Sequence, residues 1–282
     1  MSYDFHAIEE GVPPRVIMTV EVVREGSTAV VTISGSTSRN AFDSTSIALI
    51  ASTMYKLMDD PKICSIVLTG TGRVFCAGAD IDTFQKAIED DSIADQVMEM
   101  TGILHPLLVR MRGDPTVVVA AINGASAGGG LGLALACDTR IASSEARLAS
   151  AFFRLGLSPD GGTTWLLPRL VGVQRTRRFL FNDETWDANT ALEAGAVDEV
   201  VKPDELLPRA IKVAMEWGKW AENSKKSTKQ LLDSQSSTFF ETQLEFERML
   251  ITQSSKTPEF AEGVKAFLEK RTPVFTNLNE EE

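Results

Sequence analysis

The sequence predicts an α/β fold with a parallel sheet, followed by a region built only of helices. Short runs of β-branched and aliphatic residues alternate with helical patterns over the first two thirds of the chain, an order typical of parallel sheets. After Pro203 only helical patterns occur. The chain has 282 residues, of which 43% are hydrophobic, and no apolar run of about eighteen residues, so a soluble globular protein is expected.

The individual elements follow from their local patterns in chain order. Strands are predicted where β-branched residues cluster, and helices where apolar residues recur at helical spacing. The predicted strands are 29–33, 66–69, 117–121 and 140–142, and the first helix is 45–58. Four later helices are predicted at 205–222, 225–233, 239–254 and 258–270.

The two parts of the chain are predicted to differ in architecture. Residues 18–204 should form the α/β core, and residues 205–275 a helical C-terminal region. The polar or acidic ends, 1–17 and 276–282, are expected to be mobile. Because the N-terminus has no basic start and no apolar segment of a secretory signal, a cytoplasmic protein is expected.

Charge and residue type exclude several classes of function. A formal net charge of −11 argues against a nucleic-acid partner, which would need clustered Lys and Arg, and no segment predicts a membrane partner. Cys64, Cys76 and Cys137 have no metal-ligand spacing and are predicted to be buried, reduced thiols. His6 and His105 are isolated, so no metal site is predicted.

A glycine-rich run at 127–133 stands between an apolar strand and an apolar helix. There, backbone amides can approach a ligand without interference from Cβ atoms, which favours an anion or oxyanion site. A dinucleotide fingerprint needs glycine or alanine where the chain has Leu135, so no nicotinamide cofactor is predicted. Residues 124–128 match the nucleophile elbow around Ser126, but both histidines precede this serine, whereas the elbow's catalytic histidine follows it.

A second glycine-rich run, at 155–162, carries Asp160 on a turn rich in Pro and Gly. Such a turn suits a single acid/base group that faces the first run. An oxyanion site opposite one acid/base group predicts enolate chemistry. Asp160 is alternatively an N-cap of the helix that begins near Gly162.

Four motifs occur in order along the chain: FCAGADI at 75–81, AING at 121–124 with AGGG at 127–130, LPRLVG at 167–172, and EGVKAFLEKR at 262–271. Over about 20–275, they resemble the enoyl-CoA hydratase/isomerase (crotonase) superfamily. The resemblance implies a spiral core of ββα units, a helical C-terminal trimerisation region, and a homotrimer or dimer of trimers. It also implies an acyl-CoA substrate, no separate cofactor, and an oxyanion hole formed by the N–H groups of Ala79 and Gly129.

The chain departs from the family pattern at two positions. Hydratases of the family carry two glutamates, and the matching residues here are Gly132 and Phe152. Asp160 falls where a subset of the family keeps its only carboxylate, a subset that includes the isomerases acting on epoxyphenylacetyl-CoA. One carboxylate suffices for a 1,3-proton shift, and Phe152 would line an apolar acyl pocket that raises the pKa of Asp160. Isomerisation is therefore the favoured reaction.

Other functions remain open at this stage. A haloaryl-CoA dehalogenase is similar at Asp160 and Phe152, but it needs a histidine near Thr101, and His105 lies one turn later. A hydratase-like enzyme, or a homologue that binds acyl-CoA without catalysis, is also possible, and turnover of an acyl-CoA would separate a binder from an enzyme.

The resemblance also implies where coenzyme A binds. The family lays the adenine and pantetheine along backbone groups of two segments, and often adds a basic side chain from the C-terminal helices. The predicted substrate-binding residues of the two segments are Arg39, Ala41, Ala77, Asp80 and Ile81. Lys270 is the candidate basic residue, with Arg271 as the alternative; both also suit the end of a helix.

Overall fold

The computed structural model describes residues 19–35 and 39–275, so the ends predicted to be mobile, 1–17 and 276–282, lie outside the described residues. The described strands are β1 (Thr19–Glu25), β2 (Thr28–Ser34), β3 (Ser65–Gly70), β4 (Val74–Cys76), β5 (Val117–Ile122), β6 (Ala125–Ala127), β7 (Thr139–Ser143), β8 (Arg147–Ala149), β9 (Thr185–Asp187) and β10 (Glu199–Val201).

The helices alternate with these strands and then continue alone. They are α1 (Ser44–Met58), α2 (Ile81–Glu89), α3 (Ile93–Gly113), α4 (Gly129–Ala136), α5 (Thr163–Val171), α6 (Val173–Phe181), α7 (Ala188–Ala194), α8 (Leu206–Gly218), α9 (Glu222–Ser234), α10 (Phe240–Ser254) and α11 (Pro258–Leu268).

From β3 to β8, consecutive strands alternate between two sheets. The larger sheet has the order β1-β2-β3-β5-β7-β10, and the smaller sheet has the order β4-β6-β8-β9. All pairs are parallel except β1 with β2 and β8 with β9. In β3/β4, β5/β6 and β7/β8 the first strand enters the large sheet and the second the small sheet, before helical structure follows. The predicted spiral of ββα units is confirmed.

The central strands β3 and β5 of the large sheet are buried on both faces. Along β3, Ile66 and Leu68 join the main core with α1 and α3, whereas Val67 points to the opposite face and packs with residues of α8. Because side chains of a strand alternate between faces, a strand covered on both sides is apolar at every position. This explains why the uninterrupted apolar runs in β3 and β5 predicted strands correctly.

Helix α4 packs unusually close to the small sheet because it contains glycines. A Cβ atom placed on Gly130 would lie 2.2 Å from the carbonyl oxygen of Cys76 in β4. Gly128, just before the helix, has a φ of +53°, in the left-handed region that glycine adopts without strain. The glycine run therefore places the first amides of α4 beside the end of β4.

The C-terminal helices are present as predicted, with boundaries that differ by a few residues. Leu206 and Val213 of α8 are buried against the large sheet, and Lys229 of α9 binds Asp138 of the core at 2.7 Å. The division at position 205 stays a prediction. Many apolar side chains of α10 and α11 are exposed; examples are Phe240, Ile251, Phe267 and Leu268.

Candidate functional site

A cavity of about 720 Å³ lies where several loops that follow the small sheet's strands meet helices α2 and α3. Its apolar wall comes from α2, α3 and the loop after β8. The wall residues are Phe84, Val97, Met100, Leu104, Phe152, Leu155 and Leu157. Ala79, Gly129 and Asp160 also line the cavity, so the three residues predicted to be catalytic are brought together.

The Ala79 amide is held by a short parallel bridge. The carbonyl oxygen of Gly78 accepts from the N–H of Phe42 at 2.8 Å, and the N–H of Asp80 donates to the carbonyl oxygen of Phe42 at 2.9 Å. The residues on either side of Ala79 are thus fixed by hydrogen bonds to Phe42. Within 19–35 and 39–275, the Ala79 N–H itself has no acceptor. A fixed donor without a partner at a cavity wall can bind a ligand oxygen.

The Gly129 amide is the first of helix α4. It has no acceptor in the described part of the chain, and the helix has no side-chain cap. A Cβ placed on Gly78 would lie 3.0 Å from the Gly129 nitrogen, so the two loops that carry the amides are in direct contact. Gly78 has a φ of +84°, which again favours glycine. Two unpartnered donors therefore share one wall of the cavity.

Asp160 presents a partly buried carboxyl group, 36% exposed, to the same cavity. Burial raises its pKa above the ordinary value, because a charged carboxylate is poorly solvated there; a charged His105 acts in the opposite direction. The Nε2 atom of His105 lies 3.9 Å from Oδ2 of Asp160. A carboxyl with a raised pKa is a stronger base once it is ionised.

The alternative role of Asp160 as a helix cap is not what the structure shows. Helix α5 is preceded by Gly162 and has no side-chain cap, and the Asp160 carboxylate accepts no hydrogen bond from the described residues. Only its backbone carbonyl is used, by the N–H of Thr163 at 3.0 Å. By contrast, Asp80 does cap its helix, since its Oδ1 accepts from the amides of Asp82 and Thr83.

Neither position that matches the hydratases' glutamates carries a carboxylate, and position 132 has no room for one. A Cβ on Gly132 would lie 2.2 Å from the carbonyl oxygen of Gly161, which is backbone and cannot rotate away. Phe152 is buried and lines the cavity. The backbone of the turn that carries Asp160 therefore occupies the space in which a residue-132 side chain would stand.

The predicted substrate-binding residues separate into two groups. Arg39, Ala41, Ala77, Asp80 and Ile81 line the cavity, as does Phe152. Lys270 follows helix α11 with a φ of +54° and does not line the cavity. Arg271 binds the carboxylate of Glu262 through two nitrogens, at 2.6 and 2.8 Å, and this contact lowers the pKa of Glu262 to about 2.

Several site residues could not be predicted from the sequence. Phe42, Thr101 and Arg154 line the cavity, and His105 reaches Asp160, because α3 packs beside the turn at 156–160. In the sequence, His105 was considered only as the histidine that a haloaryl-CoA dehalogenase would need near Thr101. Phe153, next to the cavity residue Phe152, is exposed and packs edge-on against Phe181.

The thiols near the site are unsuited to catalysis. All three cysteines are buried, and burial raises the pKa of Cys76 to about 12, which keeps the thiol protonated and unreactive. Among the described residues no cluster of His, Cys, Asp or Glu could hold a metal ion. No described helix is both long and apolar enough to cross a membrane.

The sequence also matches a known protein family. The sequence profile described as enoyl-CoA hydratase/isomerase matches residues 23–278. The chain belongs to the enoyl-CoA hydratase/isomerase family. The protein is therefore an enzyme of this superfamily, and an acyl-CoA substrate fits the family.

Individual members of the enoyl-CoA hydratase/isomerase family cover nearly the whole chain. The 1,2-epoxyphenylacetyl-CoA isomerase of Escherichia coli (strain K12) is 34% identical over 84% of this chain and 90% of that protein. The short-chain-enoyl-CoA hydratase of Clostridium acetobutylicum is 32% identical, over 88% and 94%. A crystal structure of an enoyl-CoA hydratase from Polaromonas sp. JS666 has a TM-score of 0.83 and 32% identity, and covers 90% of this chain and 98% of that chain.

Proposed function

We propose that the protein is an acyl-CoA isomerase that shifts a double bond, or performs an isomerisation of the epoxyphenylacetyl-CoA type, through a thioester enolate. The observation that carries this proposal is the contact between Gly132 and Gly161. It removes the space for a carboxylate at position 132, and of the carboxyl groups that line the cavity Asp160 is the one that is partly buried and free of hydrogen bonds. Of the other two, Asp80 caps α2 and Asp82 is exposed.

The mechanism follows from the positions of the donors and the base. The thioester oxygen accepts from the amides of Ala79 and Gly129, which withdraw charge from the carbonyl group. Asp160 removes a proton from C2 of a 3-enoyl thioester, and the electron pair spreads into a dienolate. The same carboxyl returns the proton to C4, which yields the conjugated 2-enoyl thioester. No water and no second acid take part, and coenzyme A enters only as part of the substrate.

The apolar wall supports this chemistry in a second way. Phe152 and the side chains of α3 exclude water from the enolate and keep the base poorly solvated. Deleting a general base at constant shape lowers rates by roughly a hundred- to ten-thousandfold.

The test uses 3-hexenoyl-CoA and crotonyl-CoA as probes. Wild-type protein should convert 3-hexenoyl-CoA to the conjugated product, detected by ultraviolet absorbance, and should not hydrate crotonyl-CoA. Asp160→Asn should lose isomerisation by roughly a hundredfold or more and keep its affinity for the thioester. Efficient hydration by the wild type would exclude the proposal. Affinity without product from these thioesters, from 1,2-epoxyphenylacetyl-CoA or from 4-chlorobenzoyl-CoA would identify a binding protein.

A second candidate reaction is favoured by the proximity of His105 to Asp160. In that reaction Asp160 attacks the halogen-bearing carbon of a haloaryl thioester and displaces halide, and water, deprotonated by His105, then hydrolyses the aryl ester. The distance of 3.9 Å between the two side chains is the observation in its favour. Release of chloride from 4-chlorobenzoyl-CoA would support it over the isomerase, and its absence would exclude it.

A further inference from the structure

Asp183 binds both ends of a segment, 150–154, that lies beside the proposed oxyanion hole, although Asp183 does not line the cavity itself. It follows helix α6 with a φ of +48°, and its side chain is 18% exposed. Its Oδ1 accepts from the hydroxyl of Ser150 at 3.1 Å, and its Oδ2 accepts from Nε of Arg154. One carboxylate therefore holds both ends of the segment 150–154, where the chain leaves β8.

The Ser150 end of this segment is connected to the oxyanion hole. Ser150 is fully buried, and its carbonyl oxygen accepts from the N–H of Gly128 at 3.2 Å. The next amide along the chain is that of Gly129. Because Gly128 lacks a Cβ, local sterics do not fix its backbone torsions, and the direction of the Gly129 N–H depends on external contacts. The Ser150 carbonyl is one such contact.

The Arg154 end of the segment belongs to the cavity wall. Between the two contacts, Ala151 has a φ of +60°, a strained conformation for a residue with a side chain. Ala151, Phe152 and Arg154 all line the cavity. A carboxylate can accept from both partners at once, and its bond to a guanidinium is charge-assisted. The strained turn is thus held from both sides by the same side chain.

We propose that Asp183 is a positioning residue that fixes the direction of the Gly129 amide through Ser150 and the cavity wall through Arg154. The inference rests on the proposed function, because it needs Gly129 to bind the thioester oxygen. Misplacing a reacting group by about 1 Å can cost on the order of a hundredfold in rate. Loss of Asp183 should therefore lower kcat without removing any group that touches the substrate.

The decisive variant is Asp183→Gly. Glycine tolerates the left-handed backbone, so only the side-chain contacts are lost. The matched control is Asp91→Gly, since Asp91 is also a left-handed aspartate (φ +54°) but is exposed and does not line the cavity. Asp183→Asn is the conservative variant, because an amide oxygen still accepts from Ser150 while the charge beside Arg154 is removed.

Two readouts separate positioning from mere stability. Turnover of 3-hexenoyl-CoA by Asp183→Gly should fall by about tenfold to a hundredfold in kcat, with a smaller change in KM. The infrared carbonyl stretch of bound butanoyl-CoA, labelled with ¹³C at the thioester carbon, should move towards its value in solution. Asp183→Asn should restore most of the wild-type stretch, and Asp91→Gly should match the wild type in both readouts.

The results of these measurements test the role of Asp183 separately from the oxyanion hole. A folded Asp183→Gly variant with wild-type kcat and wild-type carbonyl stretch would overturn the role of Asp183 and leave the isomerase proposal intact. If the stretch in wild-type protein equals that in solution, the oxyanion hole itself is refuted, and the role of Asp183 falls with it. If Asp183→Gly does not fold, Ser150→Ala takes its place; it removes one of the two contacts and should change kcat and stretch in the same direction, and unchanged values would overturn the proposal.

Discussion

Gly132 lies against the backbone of Gly161, so close that a Cβ atom on Gly132 would stand 2.2 Å from the Gly161 carbonyl oxygen. Gly132 is in helix α4, and Gly161 belongs to the turn that carries Asp160. The absence of a side chain at position 132 is therefore what brings the proposed base to the glycine-rich helix.

Gly132→Ala should destabilise the protein, because the added methyl group meets a carbonyl that can only move with the turn. Overpacking of this kind costs about 1–3 kcal/mol. The matched control is Gly102→Ala, because Gly102 is helical and exposed, with nothing within 4 Å of an added Cβ. The free energy of unfolding of this variant should rise by up to about 1 kcal/mol. Urea unfolding measures both. Equal effects of the two changes would contradict the described contact.

Gly129→Pro should remove one oxyanion donor and lower kcat for 3-hexenoyl-CoA by roughly a hundred- to a thousandfold. Proline is tolerated at the first position of a helix, so α4 itself should form. Any side chain here meets the Phe42 ring at 3.0 Å, and Gly129→Ala controls for that crowding while it keeps the N–H. If both variants lose activity equally, the donor is not the cause.

Asp160→Ala should leave the melting temperature at neutral pH unchanged or raise it. The folded pKa of Asp160 is raised by burial, so its carboxyl contributes stability below the ordinary carboxyl pKa and loses that contribution as pH rises through the folded pKa. Asp187 behaves oppositely: its bond from the Thr190 amide lowers its pKa, and Asp187→Ala should lower the melting temperature at neutral pH. A matching loss at Asp160→Ala would restore the capping role.

His105→Gln should move the acidic limb of the pH profile of kcat/KM to higher pH. That limb reports ionisation of Asp160, and a charged His105 lowers the pKa of Asp160. Without the positive charge, the carboxylate forms only at higher pH. His105→Lys keeps a positive charge and should leave the limb at or below its wild-type position. A limb that does not move in His105→Gln would show that the pair is not coupled.

Phe267→Asp should weaken self-association. Phe267 is 84% exposed on α11, among further exposed apolar residues of the C-terminal helices, and such a cluster marks an interface. Sedimentation velocity at micromolar concentration should show a trimer or dimer of trimers for the wild type and smaller species for the variant. Ile88→Asp is the control, because the Ile88 side chain is exposed on α2, outside the C-terminal helices. This variant should sediment like the wild type.

The sequence predicted several elements closely but not all of the long ones, since no helix was predicted at α3, which has 21 residues. Strand β3 and helix α1 were predicted within a residue or two, because they are long enough for their apolar pattern to be read. The small sheet was missed, since β4, β6, β8 and β9 have three residues each and show no periodicity. The family resemblance, not the pattern, supplied the ββα spiral.

The candidate site was predictable only where its residues lie in motifs. Ala79 and Gly129 were named from the motifs, and both line the cavity. His105 and Asp183 were not, because their contacts with Asp160 and Ser150 span 55 and 33 positions and depend on how α3 and α6 pack. Contacts of this kind leave no local pattern in a single sequence.

The proposed oxyanion donors are the main-chain amides of Ala79 and Gly129. The groups that stabilise charge are therefore different from the groups that determine which reaction takes place. A main-chain N–H survives every substitution except proline, so mutation can vary the side chains around it and leave the proposed charge-stabilising donors in place. Under the proposed function, the choice of reaction then depends on the few side chains that share the cavity with those donors, such as Asp160 and Phe152. A protein family with such a fold can evolve a new reaction without first losing its affinity for the thioester.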